Sequence, residues 1–274
     1  MAPVSSGCDT RCSSVRHVDE IAEAFYLPLG DGRYTPTRAT ESPWEAEAQH
    51  GGPPSALLAH LAAAAGGQQP VRVSVDFYGA IPRRELQVQV SPVRPGRRID
   101  LTEAVLTVDG RTAAVARVWS LAPGPTPPVV TPAAVPPAVP DEGTVVFPDL
   151  PDFGYQHALE WRYTAGSPEQ LGAADVWTRV RIPLVAGEEL TGTDRVLIAA
   201  DAANGISVEL PLDRWLSIPP GMTCHLTREA QGDWVHLACR TRIEANGLGL
   251  CTGTVSDATG VVGEVAQPLL VRAR

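Results

Sequence analysis

Apolar and polar residues alternate along most of this chain, and two short runs break the alternation by being apolar almost throughout. Between Val71 and Ala80, Val71, Val73, Val75 and Phe77 alternate with Arg72, Ser74, Asp76 and Tyr78, the period of a half-buried strand. Leu86, Val88 and Val90 continue the pattern. Two longer alternating runs, Ile99 to Val108 and Thr112 to Leu121, are joined by Asp109-Gly110, a tight-hairpin signal. Ahead of these strands, Ala56 to Ala65 is Ala and Leu apart from His60, with Pro53-Pro54 at its entry and Gly66-Gly67 at its exit. That composition predicts a helix. Being apolar nearly all round, it is expected to be buried.

The second part of the chain repeats the order. Strands are expected at His157 to Thr164 and Ala174 to Pro183, and a second short apolar helix at Asp194 to Ala203, stopped by Asn204-Gly205. Further strands follow at Met222 to Arg228, Asp233 to Arg242, Leu248 to Ser256 and Val261 to Val271, with a turn at Thr259-Gly260 joining the last two. Between the halves, Ala122 to Pro151 is so rich in proline that neither a helix nor an interior strand can run through it. The expected organisation is a tail at residues 1–17, a domain at 18–121, a linker at 122–151 and a second domain at 152–274. A repeat of this length is a domain duplication rather than a solenoid. The fold class is α+β, with an antiparallel sheet wrapped around an apolar helix in each half.

Composition narrows the function classes. The formal charge of −9 argues against a general nucleic-acid or anionic-membrane surface. No apolar run is long enough to span a bilayer, and the first residues lack the apolar core of a secretory signal. Five cysteines without a dense framework point to a reducing, cytoplasmic setting. Cys8 and Cys12 lack ligand partners apart from His17, so they read as incidental thiols of a tail. His225 and His236 have no third ligand in view, and Cys224 alternates to the face opposite His225. No metal site and no cofactor are expected. No P-loop, dinucleotide fingerprint or Gly-x-Ser-x-Gly elbow is present.

Four strings sit at the ends of these elements. His50-Gly51-Gly52 leads into the first helix, and Ala200-Asp201-Ala202-Ala203-Asn204-Gly205-Ile206 closes the second. Asp257 to Gly260 forms the last turn, and Gly263-Glu264-Val265-Ala266-Gln267 runs into the final strand. In order and distance they resemble the double-hotdog acyl-CoA thioesterases, particularly the type II and actinobacterial branch, from about Ala24 to Arg272. The resemblance implies two fused hotdog domains, an acyl-CoA or acyl-carrier thioester substrate, and pairing into a homodimer. It implies a catalytic aspartate and glutamine that hold an attacking water, here Asp201 and Gln267. The family's third polar position falls on Pro219, with Ser217 and Thr223 as the nearby hydroxyls. Thr223 stands as a substrate-contacting candidate.

The residues themselves support that chemistry without settling it. Asp201 is the one charged side chain between Val196 and Ala203, and a buried lone carboxylate is costly unless paired or functional; otherwise it caps an exposed helix end. Gln267 can both donate to and accept from a water, or else points outward. Gly51 and Gly52 offer amides at a helix N-terminus for a thioester oxygen, or simply let the chain turn into a packed helix. His50 either polarises that site or bonds the turn, and His60 reads as a core histidine. Aligning the two hairpin glycines sets Arg117 of the first half against Gln267, which implies one active site per chain. Two other readings remain open. A non-catalytic acyl-thioester-binding protein is favoured by Pro219. A hydratase would want a histidine five residues after Asp201, where Ile206 stands.

Overall fold

The computed structural model describes residues 22–132, 134–143, 147 and 150–274; the tail at 1–17, with Cys8, Cys12 and His17, lies outside the described residues. The first half runs β1 (Tyr26–Gly30), β2 (Arg33–Pro36), β3 (Ala48–Gln49), α1 (Gly52–Gly66), β4 (Gln69–Phe77), β5 (Ile81–Pro82), β6 (Leu86–Arg94), β7 (Ile99–Val108) and β8 (Arg111–Leu121). The second runs α2 (Gly154–Ala158), β9 (Leu159–Ala165), β10 (Ala174–Val180), α3 (Gly192–Ala200), α4 (Ala203–Ile206), β11 (Trp215–Ile218), β12 (Gly221–Leu226), β13 (Trp234–Ile243), β14 (Leu248–Asp257) and β15 (Gly260–Ala273).

Most strands join one antiparallel sheet, in the order β1-β2-β6-β7-β8-β4-β12-β15-β14-β13-β10-β9, with β11 added beside β15. Counted from its own end, each half follows the same sequence of strands up to the junction of β4 with β12. Ser74 faces Thr223 at that junction, their hydroxyls 3.2 Å apart. Strand alternation drives the sheet: Val73, Val75, Ala104, Leu106, Ala116 and Val118 are all buried on the face that meets α1. Asp109 and Gly110 both take positive φ, 49° and 73°, as a two-residue hairpin loop requires.

α1 starts earlier than the alanine run suggests, because Pro53 and Pro54 occupy its first turn, where a missing N–H costs nothing. Gly67 ends it in the left-handed conformation (φ 73°), its amide donating to the Ala63 carbonyl. The helix is buried from Gly52 to Ala59, but Ala64 and Ala65 in its last turn are exposed, so burial all round holds only for its N-terminal part. α1 and α3 pack side by side, and a Cβ on Gly52 would stand 2.3 Å from the Ile198 carbonyl oxygen. α3 is entered through a reciprocal capping box between Thr191 and Asp194.

His60 ties the halves together. Its Nδ1 lies 3.1 Å from Asp194 and its Nε2 2.9 Å from Glu188. The hydrogen bond to Asp194 raises the imidazole's pKa, burial opposes it, and the charges of Asp194 and Glu188 add to the rise. A raised folded pKa means the contribution is complete below the unfolded histidine value of about 6.5 and is lost as pH climbs through the folded one. The stability gap between the wild type and His60→Gln is therefore expected to be wide at pH 5.5 and narrow at pH 8.5, read from urea midpoints at the two values.

The Pro-rich segment has neither helix nor strand among its described residues. It is held to the second half by the Trp177 indole, which donates to the Pro137 carbonyl at 2.9 Å, and by Arg162, which donates to that of Pro140. Among the described residues no helix is long and apolar enough to cross a membrane.

Candidate active site

The helix expected to run to Ala203 breaks three residues early, and a side chain from 66 positions away lies in the gap. α3 ends at Ala200 with Asp201 as its C-cap, and α4 begins at Ala203. Gln267, fully buried on β15, donates from Nε2 to the Asp201 carbonyl at 3.2 Å and accepts at Oε1 from the Asn204 amide at 3.0 Å. A side-chain amide inserted into the backbone ladder is an established cause of a helix break. Asn204 and Gly205 therefore do not stop the helix, as the sequence suggested, but form the short helix beyond the break.

The same Nε2 reaches Asp201 Oδ1 at 3.2 Å. Asp201 Oδ2 lies 3.0 Å from His50 Nδ1, with the Asp201 side chain 8% and the His50 side chain 13% exposed. The carboxylate thus lies inside the molecule with a donor on each oxygen, which offsets its burial. His50 Nδ1 is also 3.3 Å from the Gly52 amide, and one nitrogen cannot donate to Asp201 and accept from Gly52 together. Two lone pairs at 3.0 Å would repel, so Nδ1 carries the proton and points at the carboxylate.

Tyr155 holds the imidazole in that orientation. The two rings stack with centroids 3.8 Å apart and planes 4° from parallel. The phenol donates to the Ile198 carbonyl at 2.6 Å, and burial, then the Asp201 charge, push its pKa well up, so it stays neutral. Gly51 is required at close quarters, since a Cβ there would stand 2.8 Å from both Asp201 Oδ2 and Phe77 Cζ.

The cluster thus brings together His50, Gly51, Gly52, Asp201 and Gln267 of the residues singled out in the sequence. Thr223 is a correction. Its strand partner is Ala266, so it alternates to the face opposite Gln267, and its hydroxyl meets Ser74. Pro219 lies between β11 and β12, outside the cluster. Ser217, one of the two hydroxyls near Pro219, donates to Asn204 Oδ1 at 2.9 Å and accepts from Asn204 Nδ2 at its own carbonyl at 3.0 Å. Sequence reasoning missed Asn204, read only as a stop signal, and Tyr155, which had no local signature.

The alignment of Gln267 with Arg117 is also corrected. Gly110 is a loop residue, whereas Gly260 already pairs with Asp257 on the strand, as Arg111 pairs with Val108. In register, the position matching Gln267 is Val118, fully buried, while Arg117 points outward to Glu103. Ile206, where a hydratase would carry histidine, is packed in the core. His225 and His236 are separated by β15 and β14 and share no site. Cys224 is buried on the Asp201 side of the sheet, and burial together with the Asp201 charge pushes its thiol up to about 12.

At the other end of β15, the turn before the strand is pinned by Asp257, fully buried, which accepts from Arg228, Thr259 and the Gln231 amide. Burial pushes this carboxyl up, but the hydrogen bonds outweigh it and hold it well below the usual range.

Among solved structures, a conserved hot dog fold protein of unknown function from Alicyclobacillus acidocaldarius superposes with a TM-score of 0.73 at 14% identity, covering 92% of this chain and 97% of its own. A candidate thioesterase from Novosphingobium aromaticivorans gives 0.70 at 21%, covering 91% and 99%. An acyl-CoA thioesterase II from Mycobacterium marinum gives 0.66 at 14%, covering 91% and 95%. These identities establish a shared fold. No match was found among curated protein sequences. Family models for the acyl-CoA thioesterase N-terminal domain and C-terminal domain match residues 40–121 and 132–271 respectively. The chain therefore belongs to the acyl-CoA thioesterase family.

Proposed function

We propose that this chain is a hydrolase of acyl-CoA or acyl-carrier thioesters, built as two fused hotdog domains (18–121 and 152–274) joined by the 122–151 linker. The observation that carries the reading is the buried Asp201 carboxylate, fixed between His50 and Gln267 where the N-terminus of α1 meets the break after α3.

In this reading a water bound by Asp201 and Gln267 attacks the thioester carbonyl, and Asp201 takes its proton. The carbonyl oxygen becomes an oxyanion facing the N-terminus of α1. Pro53 and Pro54 have no N–H, so the Gly51 and Gly52 amides are the donors available there. When the C–S bond breaks, the proton on Asp201 passes to the leaving thiolate. His50, clamped by Tyr155, keeps the carboxylate oriented. Both Nε2 hydrogens of Gln267 are committed to Asp201, so its Oε1 accepts a hydrogen from the water, leaving a water lone pair for the carbonyl, while the same side chain sets the helix break. The register of Val118 supports one such site per chain.

Free-thiol release from a panel of straight-chain acyl-CoA substrates tests the proposal. The wild type is expected to turn over part of the panel, and Gln267→Ala to lower kcat by at least about tenfold. Absence of turnover at every chain length, with acyl-CoA still bound, would instead support the non-catalytic reading.

A further inference from the structure

Asp100 is a carboxylate at the wrong end of a helix. It stands on β7 opposite Ser120 of β8, on the sheet face that meets α1, and is 5% exposed. A Cβ on Gly66, the last residue of α1, would stand 2.7 Å from Asp100 Oδ2 and 3.7 Å from Thr102 Oγ1. Gly66 thus lets the helix end close on the carboxylate. The unpaired carbonyls of a helix C-terminus carry a partial negative charge, which favours a cation and disfavours an anion. α1 has no basic residue in its last turn.

No side chain among the described residues answers that charge. Both Asp100 oxygens are buried, and neither has a hydrogen-bond partner. The other buried carboxylates behave differently: Glu41, Asp194, Asp201 and Asp257 all accept hydrogen bonds. Arg97 and Arg98, close by along the chain, are exposed. What surrounds Asp100 is neutral oxygen. Thr102 lies two residues on along the same strand face and Ser120 directly across, both buried, and the carbonyls of the last turn of α1 complete the group. Gln68 Nε2 donates to the Arg97 carbonyl at 3.1 Å, tying the turn after α1 to the turn before β7. A sealed carboxylate without a donor is costly unless a positive charge accompanies it.

We propose that Asp100, Thr102, Ser120 and the C-terminal carbonyls of α1 hold a monovalent alkali cation, sodium or potassium. The donors are all hard oxygens, without the nitrogen or sulfur that a transition metal prefers. One carboxylate balances one positive charge. Calcium gathers six to eight oxygens, and magnesium keeps waters that this sealed group cannot admit. With one acid and no histidine or cysteine, the group has no metal-ligand spacing in the sequence, where no metal was expected. The site is separate from the Asp201 cluster, which lies at the other end of the 15-residue α1, about 22 Å away along its axis.

Urea midpoints test the site, with the protein dialysed into tetramethylammonium chloride and moved stepwise into sodium or potassium chloride at constant total salt. The wild-type midpoint is expected to climb by a few tenths of a molar and level off, as a ligand of the folded state requires. Asp100→Asn is expected to show no climb. With its buried charge gone, it should start at or above the wild-type value in tetramethylammonium chloride. Ser120→Ala keeps the carboxylate and is expected to need about tenfold more alkali salt for half the climb. A direct arm reads ²³Na line broadening, expected with the wild type and reduced with Asp100→Asn. A wild-type midpoint that is the same in all three salts, or a climb kept in full by Asp100→Asn, would overturn the proposal. So would equal ²³Na broadening by the two proteins, or a response to calcium chloride alone.

Discussion

Asp201→Asn is expected to lose on the order of a hundredfold or more in kcat while the protein stays folded and binds acyl-CoA. The substitution keeps the shape of the side chain and removes its ability to take a proton. It also replaces one acceptor by a donor at a position where His50 Nδ1 and Gln267 Nε2 both donate. His50 can absorb that change by moving its proton to Nε2 and accepting from the new amide, so the cluster need not open. Steady-state kinetics beside an acyl-CoA titration separate the two effects. A variant with unchanged kcat would remove Asp201 from the chemistry.

The second large effect is structural. Gly52→Ala places a methyl 2.3 Å from the Ile198 carbonyl oxygen, which is backbone and cannot rotate away. α1 and α3 must separate, at a cost of about 1–3 kcal/mol for an overpacked contact. The separation also pulls His50 from Asp201, so activity should fall with the urea midpoint. Gly205→Ala is the control: nothing lies within 4 Å of a Cβ there and the residue is helical, so its midpoint should hold or rise slightly. Equal midpoints for Gly52→Ala and the wild type would mean that the helices are not in contact as described.

Much of this architecture was written in local pattern. Period-two alternation located the long strands, Asp109-Gly110 the hairpin, and the alanine run α1, because each depends on neighbours within a few residues. β3, β5, β11 and α2 are too short to show a period. The break after Asp201 was illegible for another reason: it is made by Gln267, which local sequence cannot place beside residue 201. Up to Ala203 the chain there carries no glycine or proline to mark a stop, and the incoming amide divides it. Asp201 and Gln267 were legible as polar residues in apolar surroundings, and His50, Gly51 and Gly52 through their position before α1. Thr223 failed because one residue of register moves a side chain to the other face of a sheet. Ser217 and Tyr155 gained their places through contacts across elements, with Asn204 and His50.

The shift between Arg117 and Val118 carries the same lesson. Counting from the glycine of each hairpin assumes that both turns use it alike. They do not: Gly110 lies in its loop, while Gly260 is already paired on the strand. The corrected register puts an apolar residue in the first half where the second has its glutamine, so the glutamine has no polar counterpart across the junction.

Single-turnover hydrolysis in ¹⁸O-labelled water, with enzyme in excess over acyl-CoA, tests most directly whether a water held by Asp201 is the nucleophile. The released acid should carry one ¹⁸O, and the peptide containing Asp201 should carry none. Label in the Asp201 carboxylate would contradict the account, because oxygen reaches it only if that carboxylate had itself attacked the thioester.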